Sequence, residues 1–187
     1  KMWVKIIVAS IPAGVVGILW DDVFTKYFYN YQTVAIMLIL VGVVFIIIER
    51  SNKNKIAKID SIDDISYGQA FLIGVFQMIA AIFPGTSRSG STIVGSLMLG
   101  ISRTAAAEFT FFLAVPAMFG GSAIKILKYS GGFNSAEVAL LAIGMIVAFV
   151  LSIIAIKFLM SYIKKHDFKV FGWYRIALGV VVLAYFL

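Results

Sequence analysis

Pro84-Gly85-Thr86-Ser87-Arg88-Ser89-Gly90 is a polar, glycine-bracketed stretch between two apolar runs. Ala70 to Phe83 precedes it and Ser91 to Gly100 follows it. Pro84 cannot continue the preceding helix, and Gly85 lets the backbone turn. Ser89 to Thr92 suits a new helix start, where backbone N–H groups lack intrahelical partners. Arg88 adds a permanent positive charge. Free N–H groups, hydroxyls and a guanidinium at a helix N-terminus make an anion site, with phosphate the first candidate. The bland alternative is a solvent-exposed loop joining two spans. Depth argues against it. An arginine at the middle of a bilayer costs about 2.5–3.5 kcal/mol on insertion scales, so such a charge normally faces a polar cavity.

The run before Pro84 is about 16 residues long, roughly 24 Å as a helix, and the run after Gly90 is about 10 residues, roughly 15 Å. The second is too short to cross a hydrocarbon core of about 30 Å. Two half-helices meeting at a turn inside the membrane fit better. Such re-entrant segments are tolerated where they are buried in protein or line a cavity, and broken helices aimed at an anionic group build sites at mid-depth.

The rest of the chain supplies the membrane. Of 187 residues, 61% are hydrophobic, and the mean hydropathy is +1.01. A soluble domain would be about 45–50% apolar. The apolar runs are continuous rather than alternating, which favours helices over a barrel. The expected fold is therefore an all-α integral membrane protein, a polytopic helix bundle with a re-entrant helix-turn-helix hairpin over 68–100. One membrane domain over 1–187, with about five spans, is expected. Cysteine is absent, which removes disulfide and thiol chemistry. The net charge is +7, with a pI near 9.6. Most Lys and Arg residues lie between apolar runs, so topology explains them better than nucleic acid does.

Candidate spans are Trp3 to Trp20, Val34 to Ile48, Arg103 to Ile126, Val138 to Leu159 and Trp173 to Leu187. Asp21 and Asp22 are expected to end the first, and Pro12 with Gly14 to bend it. Arg50, Lys53, Lys55 and Lys58 follow the second span, and Lys164, Lys165 and Lys169 follow the fourth. By the positive-inside rule both loops face the cytoplasm, and the hairpin rises from that side toward mid-membrane. Asp63 is a candidate cap for the helix after Tyr67, and Asn134 or Ser135 for the helix after the Gly131-Gly132-Phe133-Asn134 turn. The chain starts Lys1-Met2-Trp3, almost directly in an apolar run, which suggests an internal piece of a longer protein.

Several residues carry competing readings. Glu108 sits one turn inside the third span, where it can pair with Arg103 or Arg88, bind a metal, or simply hold an arginine in the bundle. His166 is the single histidine and lies in a basic loop, so a surface role is expected. Asp60, Asp63 and Asp64 read as a solvated surface rather than a metal site. Gln77 lies two turns before Pro84, with core packing favoured over a place in the cavity. Gly74, Gly95 and Gly100 are expected to allow close helix packing.

The Pro-Gly-X-Ser-Arg-Ser-Gly word at 84–90, followed by Thr92, resembles the undecaprenyl-diphosphate phosphatase family of the bacitracin-resistance type. Gly68-Gln69-Ala70-Phe71, Gly74-Val75-Phe76-Gln77, Gly100-Ile101-Ser102-Arg103 and Glu108-Phe109-Thr110-Phe111-Phe112-Leu113-Ala114-Val115-Pro116 are similar to that family too. So is the order of spans from Ile11-Pro12-Ala13 onward, so the resemblance covers essentially the whole chain. It lacks the Gly-Lys-Ser/Thr ending of a Walker A loop.

The resemblance implies a multi-pass protein of the bacterial inner membrane that removes the terminal phosphate of a C55 isoprenoid diphosphate. That recycles the carrier lipid for peptidoglycan synthesis. The site is implied to open to the periplasmic side. Two inverted halves with one hairpin each are implied, and this chain carries the second. The family's first hairpin, with a glutamate pair and a Pro-Val-Ser-Ser-Thr-Gly-His stretch, has no match here. These 187 residues alone are therefore expected to be inactive, and Mg²⁺ or Ca²⁺ is expected on carboxylates outside them. Ser87, Arg88 and Thr92 are implied in the diphosphate site.

Chemistry adds the N–H groups of Ser89 and Gly90 as donors. Arg88 is the expected clamp on phosphate oxygens. Ser87 is a candidate catalytic residue, though no base lies near it in sequence. The expected partners are the C55 diphosphate lipid and membrane lipids, with a homodimer left open and nucleic acid excluded. Two other readings use the same residues: an anion or lipid-phosphate transporter, and a purely structural membrane subunit.

Overall fold

The computed structural model describes every residue except Lys53, Asn54, Ser130, Phe133 and Leu187, and only the backbone at Asp21 and Asp22. The expected contributions of Lys53 to the basic loop, of Phe133 to the 131–134 turn, of Leu187 to the last span and of the Asp21 and Asp22 side chains lie outside the described residues. Seven α-helices follow in order: α1 Met2–Phe28, α2 Tyr31–Asn52, α3 Tyr67–Ile82, α4 Arg88–Met98, α5 Arg103–Lys128, α6 Ser135–Ile163 and α7 Lys169–Phe186. A 3₁₀ turn, Ile62–Asp64, precedes α3. α1 (over Met2–Trp20), α2, α5, α6 and α7 are long and apolar enough to cross a membrane. α3 and α4 have 16 and 11 residues and form the expected pair of half-helices.

Two details differ from the sequence reading. α1 does not end at Asp21-Asp22. It runs on to Phe28, whose ring meets Phe83 at 4.8 Å. Asp63 does not cap α3. Ser66 does, in a reciprocal capping box with Gln69, and the Asp63 carbonyl accepts from the Lys5 ammonium at 2.7 Å instead. α1 continues through Pro12 and α5 through Pro116.

The chain forms two compact units. The smaller, Met118–His166, contains α6. Asn134 and Glu137 close a capping box at its start, as expected. His166 is exposed there and stacks on Tyr162 at 4.4 Å. The larger unit, Lys1–Ala117 with Asp167–Leu187, holds the hairpin. In it α1 lies along α3, α2 along α7, and α4 against α3 and α2.

Glycine sets these approaches, as membrane packing requires where apolar burial gives little drive. A Cβ on Gly74 would sit 2.3 Å from the Ala9 carbonyl oxygen, and one on Gly95 2.4 Å from the Phe76 ring. Gly42 and Gly172 face each other between α2 and α7. Gly100 serves a different purpose from the one expected. Its φ of +80° turns the chain out of α4, and its carbonyl takes the Lys58 N–H at 2.9 Å.

Several contacts bring both ends of the hairpin to one end of α2, here called the base. Asn52 Nδ2 donates to the Leu97 carbonyl at 3.2 Å, next to the Lys58–Gly100 bond. Ile59 and Ile101 form an isolated bridge beside them. A core of Ile6, Ile65, Ile73, Ile101, Ala105 and Phe109 packs there between α1, α3 and α5.

Glu49, only 1% exposed, is the polar knot of the base. It receives a forked pair of hydrogen bonds from Arg103 and the Phe168 N–H at 3.1 Å. Glu108 is therefore not the partner of Arg103, nor does it pair with Arg88. The ion pairs among the described residues are Arg103–Glu49 and Lys169–Asp167. Burial pushes the Asp167 carboxyl up. The Lys169 ammonium at 2.7 Å and N–H at 3.2 Å, with the Arg103 charge, outweigh it and hold Asp167 below the ordinary carboxyl value.

Candidate functional site

The turn between α3 and α4 is built from three unusual residues. Pro84 stops α3. Gly85 takes φ +88° and packs so closely on α2 that a Cβ would lie 2.5 Å from the Val34 carbonyl oxygen. Ser87 takes φ 61° and ψ 115°, a conformation that side-chain-bearing residues rarely adopt. Its distortion is of the kind that costs about 1–3 kcal/mol and collects at functional sites. Val34 is 15 residues, about 22 Å, along α2 from Glu49 at the base. The hairpin tip thus comes within a turn of the far end of α2.

α4 begins at Arg88, one residue before the expected start. Ser87 is its N-cap. The Ser87 Oγ accepts the Gly90 N–H at 3.2 Å, and the Ser87 carbonyl accepts the Ser91 N–H at 3.0 Å. The N–H groups of Arg88 and Ser89 remain without an intramolecular partner among the described residues. The Gly90 N–H, expected to face a ligand, is instead taken by the cap. The Ser91 hydroxyl donates to the Phe76 carbonyl and ties the two half-helices together.

A cavity of about 160 Å³ opens beside this helix start, lined by Gln77, Arg88, Ser89, Thr92, Thr110, Phe111 and Ala114. It gathers Arg88, Ser89 and Thr92 of the expected set. Ser87 and Gly90 are not in its lining. Gly90 is buried beside Phe45 and Arg175, and the Ser87 hydroxyl lies against it. Arg88 makes no ion pair among the described residues. A guanidinium without a carboxylate, two open N–H groups and several hydroxyls make a site for an anion. The lining contains no carboxylate, and the described residues bring together no group of three His, Cys, Asp or Glu side chains. The residues present therefore do not fit a divalent cation.

Sequence reasoning gave Arg175 no role. From α7 its Nη2 donates to the Gly85 carbonyl at 2.8 Å, and its Nη1 lies over Gly90. A second guanidinium thus braces the turn that carries the first. The signal was available: an arginine in an apolar span is costly unless employed, the argument that singled out Arg88. Thr110 was also missed as a site residue. Its hydroxyl meets that of Thr92 at 2.9 Å. A second cavity, about 250 Å³, lies at the base between Lys55, Lys58, Gly100, Ser102 and Arg103.

Ser87→Gly separates strain from function. Glycine adopts this backbone freely, and replacing an N-cap serine by glycine costs only a few tenths of a kcal/mol. Thermal unfolding in detergent is expected to show the variant about 1 kcal/mol more stable than wild type. Ligand-dependent stabilisation by phosphate should weaken, because the turn loses its pre-set shape.

The chain is similar in sequence to known proteins over nearly its whole length. The family described as Bacitracin resistance protein BacA matches residues 1–181. An undecaprenyl-diphosphatase of Desulfitobacterium hafniense is 65% identical over 186 residues, all of this chain and 67% of the relative. Undecaprenyl-diphosphatase 1 of Clostridium acetobutylicum is 61% identical, again over all of this chain and 68% of its own length. An undecaprenyl-diphosphatase of Enterococcus faecalis is 58% identical over 98% of this chain and 66% of its own. The chain thus spans about two thirds of the length of these curated relatives. The match over residues 1–181 makes the chain a member of the BacA family.

Proposed function

We propose that the cavity beside α4 binds the terminal phosphate of a C55 isoprenoid diphosphate and that this chain serves its hydrolysis to undecaprenyl phosphate and inorganic phosphate. Undecaprenyl-diphosphatase is the name its relatives carry, and the matching family is described as a bacitracin resistance protein. In this reading the chain is a membrane-bound hydrolase that recycles the carrier lipid. The observation that supports the site is Arg88: an unpaired guanidinium within a membrane-spanning bundle, lining a cavity with hydroxyls and open helix N–H groups.

In hydrolysis a water oxygen bonds to the terminal phosphorus while the bond to the bridging oxygen breaks. Negative charge builds on the bridging oxygen as it leaves with the lipid monophosphate and on the equatorial oxygens of the transferring phosphoryl group, and the water's protons end on inorganic phosphate and solvent. Arg88 binds those oxygens in a planar fork, and the Arg88 and Ser89 N–H groups at the α4 start add fixed donors. Ser87 holds the turn by accepting the Gly90 N–H, and its hydroxyl also meets that of Ser89 at 3.3 Å. Arg175 keeps the Gly85 carbonyl in place. Mg²⁺ or Ca²⁺ would sit on carboxylates outside this cavity, whose lining has none, and would offset charge on the diphosphate.

Charge supports an orientation. In the larger unit the base carries Lys5, Arg50, Lys55, Lys58, Arg103 and Lys169, whereas the far end has Lys26. The base then faces the cytoplasm and the hairpin tip approaches the outer side of the inner membrane. The test is phosphate release from a C55 diphosphate by the full-length protein in detergent. Release of inorganic phosphate supports the phosphatase. Movement of labelled lipid across proteoliposomes without phosphate release supports the transporter.

A further inference from the structure

Among the described residues, three buried side-chain polar atoms have no hydrogen-bond partner: Gln77 Oε1, Thr86 Oγ1 and Arg175 Nε. All three lie in the hairpin or on the residue docked against its turn. Buried polar atoms are rarely left unpaired, and an unpaired one calls for a water, a ligand or a catalytic role. Gln77 is the case that faces a cavity. It is 3% exposed and lines the cavity beside α4, and its Oε1 accepts from no donor among the described residues.

Proton bookkeeping on the neighbouring hydroxyls shows what that wall can accept. Thr92 Oγ1 lies 3.0 Å from the Ser89 carbonyl oxygen, 3.2 Å from that of Arg88 and 2.9 Å from Thr110 Oγ1. Carbonyls cannot donate, so the one Thr92 proton goes to them. The Thr92–Thr110 contact then takes the Thr110 proton. Thr110 is left with lone pairs only, beside an amide oxygen that has no donor. Arg88, the helix N–H groups and Gln77 Nε2 provide donors, while Gln77 Oε1 and Thr110 Oγ1 provide acceptors. A fully deprotonated phosphate satisfies the first set and leaves the second empty.

We infer that Gln77 is a ligand-contacting residue: Gln77 Oε1, with Thr110 Oγ1, receives the O–H of a protonated oxygen in the cavity, carried by the attacking water or by a hydrogen phosphate group. This deepens the phosphatase reading and rests on it. Gln77 is thereby moved from core packing into the site, and Thr92 from phosphate donor to the residue that fixes the direction of the hydroxyl chain.

The experiment uses the full-length protein in detergent, as wild type, Gln77→Leu and Thr110→Val, each checked for an unchanged melting transition. Two quantities are measured between pH 6 and 8: kcat and KM on a C55 diphosphate, and inhibition by inorganic phosphate. Loss of the amide is expected to lower kcat/KM about tenfold to a hundredfold, the scale of a hydrogen bond to a charged group. A fall in kcat with phosphate inhibition unchanged identifies the attacking water. Wild-type inhibition that tightens toward pH 6, with that dependence lost in Gln77→Leu, identifies hydrogen phosphate. Thr110→Val should move the same quantity in the same direction, and it carries the test if Gln77→Leu does not fold. Kinetics and inhibition within twofold of wild type in a folded variant overturn the inference while leaving the phosphatase intact. Absence of phosphate release from wild type overturns both.

Discussion

Arg88→Ala is expected to reduce phosphate release about a thousandfold while leaving the protein as stable as wild type or more so. The two effects have opposite signs for one physical reason. Arg88 has no ion-pair partner among the described residues, so its charge is held in the bundle without compensation until an anion arrives. Removing it relieves a cost of about 2.5–3.5 kcal/mol on insertion scales. The same removal takes away a preorganised donor for developing phosphoryl charge. Such losses cost about 10²–10³ in kcat for a single donor, and up to about 10⁵ for arginines in phosphoryl transfer. Arg88→Lys keeps the charge but not the planar fork, and should fall between. Turnover and thermal unfolding, measured on the same preparations, give both readouts. Activity within threefold of wild type, or a loss of activity that follows a loss of stability, contradicts the role.

The second large effect is structural. Glu49→Ala is expected to destabilise the protein by about 3 kcal/mol with little change in kcat of the molecules that remain folded. Removing one partner of a buried pair typically costs about 3–5 kcal/mol. The lower end applies because the Arg103 side chain is 37% exposed and recovers some hydration. The variant also orphans the Phe168 N–H, which joins the start of α7 to α2. Replacing both Glu49 and Arg103 by leucine should restore much of the loss, since an apolar pair of similar size can equal a buried ion pair. Denaturant unfolding in mixed micelles measures all three. Equal stability of Glu49→Ala and wild type contradicts the knot.

The hairpin was legible because its signals are local. Pro84 and Gly85 mark the turn, and the flanking runs are too short to span. Both half-helices follow from chain geometry and bilayer thickness. The cap of α6 was legible at Asn134 for the same reason. What escaped depends on contacts distant in sequence. Arg103 finds Glu49 from 54 residues away, and Arg175 reaches Gly85 from 90 residues away. The continuation of α1 past Asp21-Asp22 escaped because charged residues end a span without ending a helix. Gln77 is buried, as the core-packing reading expects, and it also lines the cavity beside α4; an apolar helical run gives no hint of which polar side chain does so. The fate of the Gly90 N–H depended on a serine with positive φ, which no pattern of residue types announces.

The measurement closest to the central claim is a structure of the full-length protein with a non-hydrolysable methylene-diphosphonate analogue of the lipid. The terminal phosphorus is expected in the cavity beside α4, within hydrogen-bonding reach of the Arg88 guanidinium and the Ser89 N–H. The diphosphonate seated instead in the basic cleft of Lys55, Lys58 and Arg103 at the base, with the hairpin cavity holding none of it, would contradict the account.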